Sequence, residues 1–357
     1  MRWRDLDWFL VGTALLIAVI GVLEIHSATL GTKFAGVWVK QVYFLIAGVG
    51  LMLVVSRIDY KLILESSPWL YVVSVAGLGG VLVLGKAIFH SRRWIPIAGS
   101  HLQVSEFVKL VIIVVVARFC GAARLSLSWW DIGKVGALVG LPAALVLLEP
   151  DLGTALTYLP VAAVGLVLGG MRWRQFGILA LAGLLMLPLA WHGLHPYQRE
   201  RLIGFMQPQA DPLGSGYQVL QSKIAVGAGG MWGQGMAQGS QIRGEFLPVP
   251  HTDFIFAAFA EEYGFVGALA LLGLYLLLLL RLIANAQLAP DRAAGIVVMG
   301  VMAVLAFHVL VNVGMVVGLM PVTGIPLPLL SSGGSSLLFT FAALGLVMNV
   351  RLARFVN

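Results

Sequence analysis

The acidic side chains of this chain are few, and their positions give the first indication of its chemistry. There are 16 Asp and Glu residues in 357, and several lie inside apolar segments or at the ends of them. A carboxylate at membrane depth is costly unless it is paired or hydrated, so each of these acids is a candidate functional group. The candidates are Glu24, Glu106, Glu149, Asp151, Asp253, Glu261 and Glu262.

Asp253 has a position suited to proton transfer. It follows His251 and Thr252 and directly precedes the apolar run Phe-Ile-Phe-Ala-Ala-Phe-Ala. This order predicts a carboxylate where a helix meets an aqueous surface, and a carboxylate there can act as a general base. The alternative is structural, because Asp is a favoured N-cap residue. Thr252 can serve as the cap instead and leave Asp253 free.

A second polar group opens an apolar segment at Gln103-Val-Ser-Glu106-Phe-Val-Lys109. Glu106 and Lys109 have i,i+3 spacing and therefore share one face of a helix. Two interpretations follow. Either the pair is structural and the two charges neutralise each other, or it forms a polar wall at which a sugar or a pyrophosphate approaches from the membrane side.

Two further motifs carry charge close to these positions. Arg92-Arg93-Trp94 is either an anchor at the membrane interface or a clamp for phosphate. Glu149-Pro-Asp151-Leu-Gly-Thr is predicted to form a turn between two helices, where Asp151 can cap the second helix.

The last part of the chain contains Thr323-Gly-Ile-Pro-Leu-Pro, followed by the run Ser331-Ser332-Gly333-Gly334-Ser-Ser. Such irregular backbone is tolerated in a membrane protein only where protein or water shields it. Backbone N–H groups, hydroxyls and a helix N-terminus together can bind an anion. The run is therefore either a phosphate cradle or a flexible, capped start to the last helix.

Helices in a bilayer must position these residues. The chain is 59% apolar and 11% charged, whereas soluble domains carry about 25% charged residues. Apolar segments of about 20 residues, enough to cross a bilayer, recur near 8–28, 40–56, 69–86, 104–121, 132–149, 152–170, 175–193, 253–280, 294–318 and 335–350. The predicted fold is an all-α polytopic membrane protein of about ten transmembrane helices, forming a single integral-membrane domain over 1–357.

The basic residues predict the orientation of these helices. An even number of spans places both termini on one side, and the positive-inside rule makes that side cytoplasmic. The candidate acids then lie in the outer halves of their helices. The net charge of +7 is explained by basic residues that orient the helices in the membrane, so no nucleic-acid partner is predicted. The single cysteine, Cys120, excludes a disulfide framework and a cysteine-ligated metal site.

One segment does not fit a short connection between helices. Residues 194–252 form a large loop between helices seven and eight, predicted to be extracytoplasmic. Connections longer than about 12–15 residues are usually functional or disordered. This one contains an amphipathic stretch from Tyr217 to Val226 and then a glycine-rich segment, and its apolar content argues against simple disorder.

The ordered set of motifs resembles the SEDS family (shape, elongation, division and sporulation), closest to its rod-shape branch. The resemblance covers essentially the whole chain, with Val104 standing where the family often has proline. The motifs that carry it are Arg93-Trp94-Ile, Gln103-Val-Ser-Glu106 with Lys109, Pro150-Asp151-Leu-Gly, Tyr197-Gln198 with Arg201, Gly230-Met-Trp232-Gly-Gln-Gly235 with Ser240, Phe246-Leu-Pro, His251-Thr252-Asp253-Phe-Ile-Phe, Glu261-Glu-Tyr-Gly and Thr323-Gly-Ile-Pro-Leu-Pro.

The resemblance implies a peptidoglycan glycosyltransferase that polymerises lipid II outside the cytoplasmic membrane and releases undecaprenyl pyrophosphate, with Asp253 as the catalytic residue. It also implies a class B penicillin-binding protein as the crosslinking partner, along with other elongation-complex proteins and membrane lipid. The residues expected to bind substrate are Arg93, Trp94, Gln103, Glu106, Lys109, Asp151, Arg201, Trp232, Ser240, Arg243, Thr252, Thr323, Ser331, Ser332, Gly333 and Gly334.

The reaction requires a base for the acceptor hydroxyl and positive charge beside the departing pyrophosphate. Asp253 is the expected base, and Arg93, Lys109, Arg201 or Arg243 the expected cations, with a divalent cation (Mg or Mn) as a possible addition. Two other functions remain open from the sequence. One is a lipid II flippase, because intramembrane acids and Pro/Gly-broken helices are also typical of transporters; the other is a non-enzymatic scaffold for the crosslinking partner.

Overall fold

A computed structural model describes residues 6–84, 86–88, 91–97, 100–123, 126–209, 214, 216–244 and 246–353. In chain order its elements are α1 (Trp8–Thr29), α2 (Val37–Val55), α3 (Tyr60–Leu84), β1 (Lys86–Ile88), β2 (Ser91–Ile97), β3 (Ser100–Gln103), α4 (Val104–Gly121), α5 (Trp129–Leu148), α6 (Leu152–Leu156), α7 (Tyr158–Leu168), α8 (Trp173–Gly193), α9 (Pro196–Met206), α10 (Tyr217–Ala228), α11 (Ser240–Arg243), α12 (Ile255–Gln287), α13 (Arg292–Val316) and α14 (Gly334–Ala353).

The chain is a helical, multi-pass membrane protein. Among the described residues, seven helices are long and apolar enough to cross a bilayer: α1, α2, α3, α5, α12, α13 and α14. Helix α4 carries Glu106, Lys109 and Arg118 within its 18 residues, and the helical runs Leu152–Leu168 and Trp173–Leu189 are shorter. The predicted membrane-helix class is confirmed, and each predicted apolar segment is mainly helical. The number of spans remains a prediction.

A small β-sheet replaces part of the predicted third helix and the loop after it. Strands β1, β2 and β3 form an antiparallel sheet in which Trp94 pairs with Gln103 and Ile97 with Ser100. The prediction of an all-α fold is therefore wrong for this segment. The signal in the sequence is Trp94-Ile95-Pro96-Ile97, where aromatic and β-branched residues favour extended backbone.

The described part of the segment 194–252 contains three short helices, α9, α10 and α11. The predicted amphipathic stretch at Tyr217 is confirmed as helix α10, which buries Val219, Ser222 and Ala225. The Ser222 hydroxyl donates a hydrogen bond to the carbonyl of Val316, at 3.1 Å, at the end of α13. This contact fixes α10 against the bundle.

Helices α13 and α14 form the centre of the bundle. Of the apolar stretch of each helix, 67% of the residues are buried in α13 and 83% in α14. The corresponding share is 17% in α2 and in α3, whose apolar side chains mostly face outward. Close packing around the centre depends on small residues, because lipid provides no hydrophobic force between helices. A Cβ atom on Gly345 of α14 would lie 2.6 Å from the carbonyl oxygen of Met52 in α2.

The glycine-rich segment after α10 binds to a kink in α12. Gly264 interrupts the helical backbone with φ 67° and ψ −167°, a conformation essentially restricted to glycine. The carbonyls of Glu261 and Glu262 accept hydrogen bonds from the N–H groups of Gln234 and Gly235, both at 3.0 Å. The segment therefore replaces the helical hydrogen bonds that the kink removes.

The opposite end of the bundle is held by Asp7, which is 1% exposed. Its carboxylate accepts a hydrogen bond from the N–H of Leu10, at 3.2 Å, and caps α1. It also accepts hydrogen bonds from Arg281, Asn285 and Arg351, at 2.8, 2.9 and 2.6 Å. A buried carboxylate is tolerated here because its lone pairs are satisfied.

The kink at Gly264 gives a test of this packing. Gly264→Ala should destabilise the protein by roughly 1–3 kcal/mol, because alanine strongly disfavours this backbone conformation and its Cβ would collide with the N–H of Gly233. Thermal unfolding in detergent measures the effect. Gly273→Ala is the matched control, since a Cβ there meets nothing within 4 Å. Equal melting temperatures for the two variants would contradict the packing.

Candidate active site

Asp253 lies just before α12 and is not its cap. The helix begins at Ile255, and Phe254 occupies the N-cap position without a side-chain hydrogen bond. Asp253 is partly exposed, and its carboxylate lies against Gly324, where an added Cβ would be 3.6 Å from the Oδ2 atom of Asp253. The Thr252 hydroxyl donates to the carbonyl of Val249, at 3.3 Å. The structural interpretation of Asp253 as an N-cap is therefore wrong.

The backbone around Asp253 is fixed by the Ser/Gly run. The Ser331 hydroxyl donates to the carbonyl of Thr252, at 2.7 Å, and accepts from the N–H of Leu327, at 2.8 Å. The N–H of Ser332 donates to the carbonyl of His251, at 2.9 Å. These two serines hold the segment that carries Asp253.

The same run makes other internal contacts, which favour the helix start over the phosphate cradle. The Gly333 N–H donates to the Oε1 atom of Gln41, at 3.3 Å, and the Gln41 amide donates to the carbonyl of Ser331, at 3.1 Å. A Cβ on Gly334 would lie 2.5 Å from the Phe44 ring. The backbone N–H groups of Ser332 and Gly333 are thus already satisfied within the protein. Sequence reasoning missed Gln41, although an amide in an apolar segment was a usable signal.

Asp151 gathers polar groups from the sheet and from α6. Its Oδ1 atom accepts from the N–H of Thr154, at 3.1 Å, so the predicted cap of the helix is confirmed. Its Oδ2 atom accepts from the amide of Gln103, at 2.8 Å, and lies 3.4 Å from a terminal nitrogen of Arg93. Strand pairing between Trp94 and Gln103 brings Arg93 and Gln103 to the same carboxylate.

A cleft opens beside Asp151, between the sheet, α9 and the segment 321–323. Tyr197 and Arg201 project from α9 into it, together with Arg93 and Thr323. The Tyr197 hydroxyl donates to the carbonyl of Pro150, at 2.6 Å, and Arg201 donates to the carbonyl of Val322, at 3.4 Å. The cleft therefore presents two guanidinium groups on a fixed backbone.

Asp253 lies within electrostatic range of three residues that line this cleft, Arg93, Asp151 and Arg201. Burial raises the pKa of Asp253 above its ordinary value, the positive charges of Arg201 and Arg93 lower it, and the negative charge of Asp151 raises it. The net direction is upward. A carboxylate with a raised pKa is a stronger base than an ordinary Asp, which suits proton removal from a hydroxyl.

Glu106 and Lys109 form a buried ion pair, with the Lys109 ammonium 2.8 Å from both carboxylate oxygens. The ammonium also lies 3.2 Å from Nε2 of His308 and 4.6 Å from the centre of the Phe339 ring. Because the carbonyl of Pro326 can only accept, Nδ1 of His308 donates to it, at 3.1 Å, and Nε2 is left to accept from Lys109. These contacts favour mutual neutralisation over a polar wall.

Three of the predicted substrate-binding residues lie away from this cleft. The Ser240 hydroxyl donates to Glu261, at 3.1 Å, and Glu261 lies roughly 12 Å from Asp253 at 1.5 Å per helical residue. Arg243 donates to the carbonyl of Ala237, at 2.8 Å. Trp232 is 79% exposed.

Trp94 contacts His101 edge-on, with 6.4 Å between the ring centres. The side chain of Arg92 lies outside what the structure describes.

A second group of buried acids lies beside the glycine-rich segment. Glu262 accepts from the Ser27 hydroxyl, at 2.5 Å, and from the N–H of Ala237, at 3.1 Å. The Glu262 carboxylate therefore links α12 to α1. Glu24, also fully buried, has no hydrogen-bond partner for either oxygen within the described residues.

The carboxylates do not form a metal cage. Across the described residues, no three His, Cys, Asp or Glu side chains have a geometry that could hold a metal ion. Both oxygens of Asp151 are engaged by Arg93, Gln103 and Thr154. A divalent cation at the cleft would have to take most of its ligands from the phosphates of the substrate.

The fold and this site define a polytopic helical membrane protein with a polar cleft at one end of its bundle, lined by two arginines, Arg93 and Arg201. Residues 7–354 match the family model described as cell cycle protein, which covers FtsW, RodA and SpoVE. The chain belongs to this family, known as SEDS, and is RodA-like.

Curated relatives match nearly the whole chain. Peptidoglycan glycosyltransferase MrdB of Escherichia coli K12 is 37% identical over 341 residues, which cover 95% of this chain and 92% of the relative. Peptidoglycan glycosyltransferase RodA of Treponema pallidum is 31% identical, covering 97% of each chain. Stage V sporulation protein E of Bacillus subtilis is 36% identical, covering 96% of each.

Solved structures share the fold. A chain from work on the structural coordination of polymerization and crosslinking by a peptidoglycan synthase complex has a TM-score of 0.84 and 36% identity, covering 99% of this chain and 100% of its own. The rod shape determining protein RodA of Thermus thermophilus has a TM-score of 0.75 and 31% identity, covering 99% of both.

Glu149, next to this cleft, gives a prediction on stability. Burial, together with the charge of Asp151 and against that of Arg93, raises the pKa of Glu149 from 4.5 to about 8. The folded protein therefore binds more protons than the unfolded chain between these values, and stability falls as pH rises through that window. Glu149→Gln should match the wild type at pH 5 and exceed its Tm by about 2 °C or more at pH 8.5.

Melting curves in detergent at the two pH values test this prediction. Glu200→Gln, at an exposed position of α9, is the control and should show no such divergence. A wild type and Glu149→Gln that lose stability in parallel as pH rises would show that the Glu149 carboxyl does not gain a proton on folding.

Proposed function

We infer that this chain is a peptidoglycan glycosyltransferase that polymerises lipid II into β-1,4 glycan strands during cell elongation, with Asp253 as the general base. The single observation that supports the mechanism is that the charges of Arg93 and Arg201, which line the cleft, act on the Asp253 carboxylate and lower its pKa against the effect of burial. The named activity of MrdB and RodA relatives over nearly the full chain supports the reaction class.

The reaction is a single inverting displacement. The donor is joined to its lipid through an α-linked pyrophosphate and the product bond is β, so one backside attack suffices and no covalent enzyme intermediate is required. The acceptor 4-hydroxyl oxygen bonds to the anomeric carbon of the donor as the bond from that carbon to the pyrophosphate oxygen breaks. The hydroxyl proton passes to Asp253, and undecaprenyl pyrophosphate leaves.

Arg93 and Arg201 stabilise the negative charge that develops on the pyrophosphate. A guanidinium group can donate two parallel hydrogen bonds to phosphate oxygens, which suits it to this role. Arg93 is also held by Asp151, and Arg201 by the carbonyl of Val322. Both are thus pre-oriented before substrate binds. Lys109 is buried in its ion pair with Glu106 and acts on the site through His308 and the segment at Pro326.

The orientation follows from the distribution of charge. With about ten spans and both termini cytoplasmic, the cleft faces the periplasm or cell exterior, where lipid II is polymerised. Support comes from the other end of the bundle, where Arg281 and Arg351 bind Asp7 and Arg292 donates to the carbonyls of Leu168 and Ala123. Basic residues concentrated at that end agree with the positive-inside rule.

A class B penicillin-binding protein is the proposed crosslinking partner, together with other elongation-complex proteins. The similarity to a chain from a peptidoglycan synthase complex, at TM-score 0.84, supports this association. Formation of glycan chains by the purified protein, with and without the partner, tests the proposal directly.

Lipid II transport is the competing function, favoured by the intramembrane Glu106–Lys109–His308 network. The internal partners of this network argue against a moving cargo site there. Polymeric product from protein in detergent would decide for synthesis, because transport makes no polymer. The same assay separates an enzyme from a non-enzymatic scaffold.

Replacing Asp253 tests the base. Asp253→Asn keeps the size and polarity of the side chain but cannot accept the proton, so polymerisation of lipid II should fall by roughly 10²–10⁴-fold. The control is an unchanged melting temperature together with retained binding of the partner. Wild-type polymer yield from Asp253→Asn would refute the assignment.

The arginine next to the base gives a test through pH. The reaction needs ionised Asp253, so the rate should rise with pH through the raised pKa of that carboxyl. Arg201→Gln removes a charge that lowers this pKa, so the acidic limb of the pH–rate profile should move to higher pH. Arg199→Gln, on the same helix and bonded to the carbonyl of His192, is the matched control. Identical acidic limbs for the two variants would exclude coupling of Arg201 to the base.

A further inference from the structure

A second cavity lies far from Asp253, between α3, α4 and α5. Its volume is about 760 Å³, and Pro68, Val72, Phe119 and Leu138 form apolar walls around Arg118. Arg118 lies near the end of α4, roughly 22 Å along the helix from Gln103 at 1.5 Å per residue. The cavity is therefore at the end of the bundle opposite to the active site.

Arg118 carries a charge that no carboxylate balances within the described residues. One terminal nitrogen donates to the carbonyls of Leu64 and Glu65, at 3.1 and 2.7 Å, and contacts the Ser67 hydroxyl at 3.5 Å. Pro68 has no N–H to donate to Leu64, and Arg118 supplies the missing donor. Its Nε atom and other terminal nitrogen remain able to bind a ligand.

Two more basic side chains lie near the cavity. Arg172 contacts the hydroxyl of Ser126 at 3.5 Å, and Ser126 lines the cavity. The Lys134 ammonium lies 5.9 Å from the ring of Phe119, another lining residue. The positive charge is therefore not confined to Arg118.

One carboxylate, Asp131, also lines the cavity. It accepts hydrogen bonds from both the N–H and the hydroxyl of Ser128, at 3.0 and 2.7 Å, as part of the capping box of α5. It offsets only one of the three positive charges, so the cavity retains net positive charge and favours an anion.

The surface around the cavity is of the kind that faces lipid near the headgroups. Trp69, Trp129 and Trp130 are 76%, 50% and 73% exposed. Tryptophan is enriched at membrane–water interfaces, where its ring is apolar and its N–H can be hydrated. Val72, on the cavity wall, is 57% exposed. An acyl chain can therefore reach the cavity from the bilayer.

We propose that this cavity binds an anionic glycerophospholipid of the leaflet opposite to the active site. The lipid phosphate accepts hydrogen bonds from the unused donors of Arg118, and Arg172 and Lys134 add attraction. One acyl chain lies against Val72 and Leu138. The apolar walls and the opening toward lipid select a phospholipid over free phosphate, and the net positive charge selects an anionic headgroup over a zwitterionic one.

Native mass spectrometry of the full-length protein tests the site, with dioleoyl-phosphatidylglycerol as the probe and dioleoyl-phosphatidylcholine and inorganic phosphate as comparisons. Phosphatidylglycerol should bind wild type at least about fivefold more tightly than phosphatidylcholine, from roughly 1 kcal/mol per basic residue near a membrane surface. Arg118→Gln should bind phosphatidylglycerol about fivefold more weakly than wild type does. Ala122→Trp, which fills the cavity and keeps Arg118, should weaken phosphatidylglycerol binding to a similar degree.

Arg174→Gln is the matched control, because it removes an exposed basic side chain that does not line the cavity. Its affinity for phosphatidylglycerol should stay within twofold of wild type. If Arg118→Gln impairs folding, Ala122→Trp alone decides. Equal binding of the two phospholipids, displacement by inorganic phosphate, or full binding by Ala122→Trp would overturn the proposal.

Discussion

The cost of placing charge in lipid governs this structure. An ionised group at membrane depth must be paired, hydrogen-bonded or hydrated, and the chain meets this condition in different ways at the two ends of its bundle. At one end Asp7 is enclosed by Arg281, Arg351 and Asn285. At the other, Asp253 remains partly exposed. The enclosed carboxylate stabilises the fold, and the one that remains accessible can exchange a proton.

Accessibility at Asp253 depends on irregular backbone that the protein itself supports. The segment after α13 is held by Tyr275, which donates to the carbonyl of Pro328 at 2.5 Å, and by Asn312, which donates to the carbonyls of Asp253 and Ile325 at 3.0 and 2.9 Å. Leu329 within it has φ 66°, a strained conformation for a branched side chain. Such strain persists only where surrounding contacts over-determine the backbone. Asp253, the proposed base, is therefore positioned by groups of α12, α13 and the Ser331 run together.

The apolar segments and the acids within them or at their ends were predictable. A bilayer requires helices of about 20 apolar residues and disfavours charge inside them, so exceptions are visible in the sequence. Asp253 and Asp151 were found in this way. The contacts that fix the backbone around Asp253 were not predictable. The Ser331 hydroxyl donates to the carbonyl of Thr252 across 79 residues of sequence, and the Gln41 amide donates to the carbonyl of Ser331 across 290. The sheet was not predicted for a related reason. A short strand such as β2 is stable only when it pairs with another strand, here β3, and the sequence does not show that pairing.

The glycine-rich segment was given a functional role only through the family resemblance, and the structure explains why its sequence is needed. Its conformation is dictated by the kink at Gly264, whose freed carbonyls at Glu261 and Glu262 need donors. Gly233 approaches that backbone too closely for any side chain. The same docking leaves Trp232 on the surface and places Ser240 on Glu261. The segment thereby fixes α12, the helix that Asp253 precedes, and a fixed helix start helps to hold the proposed base in position.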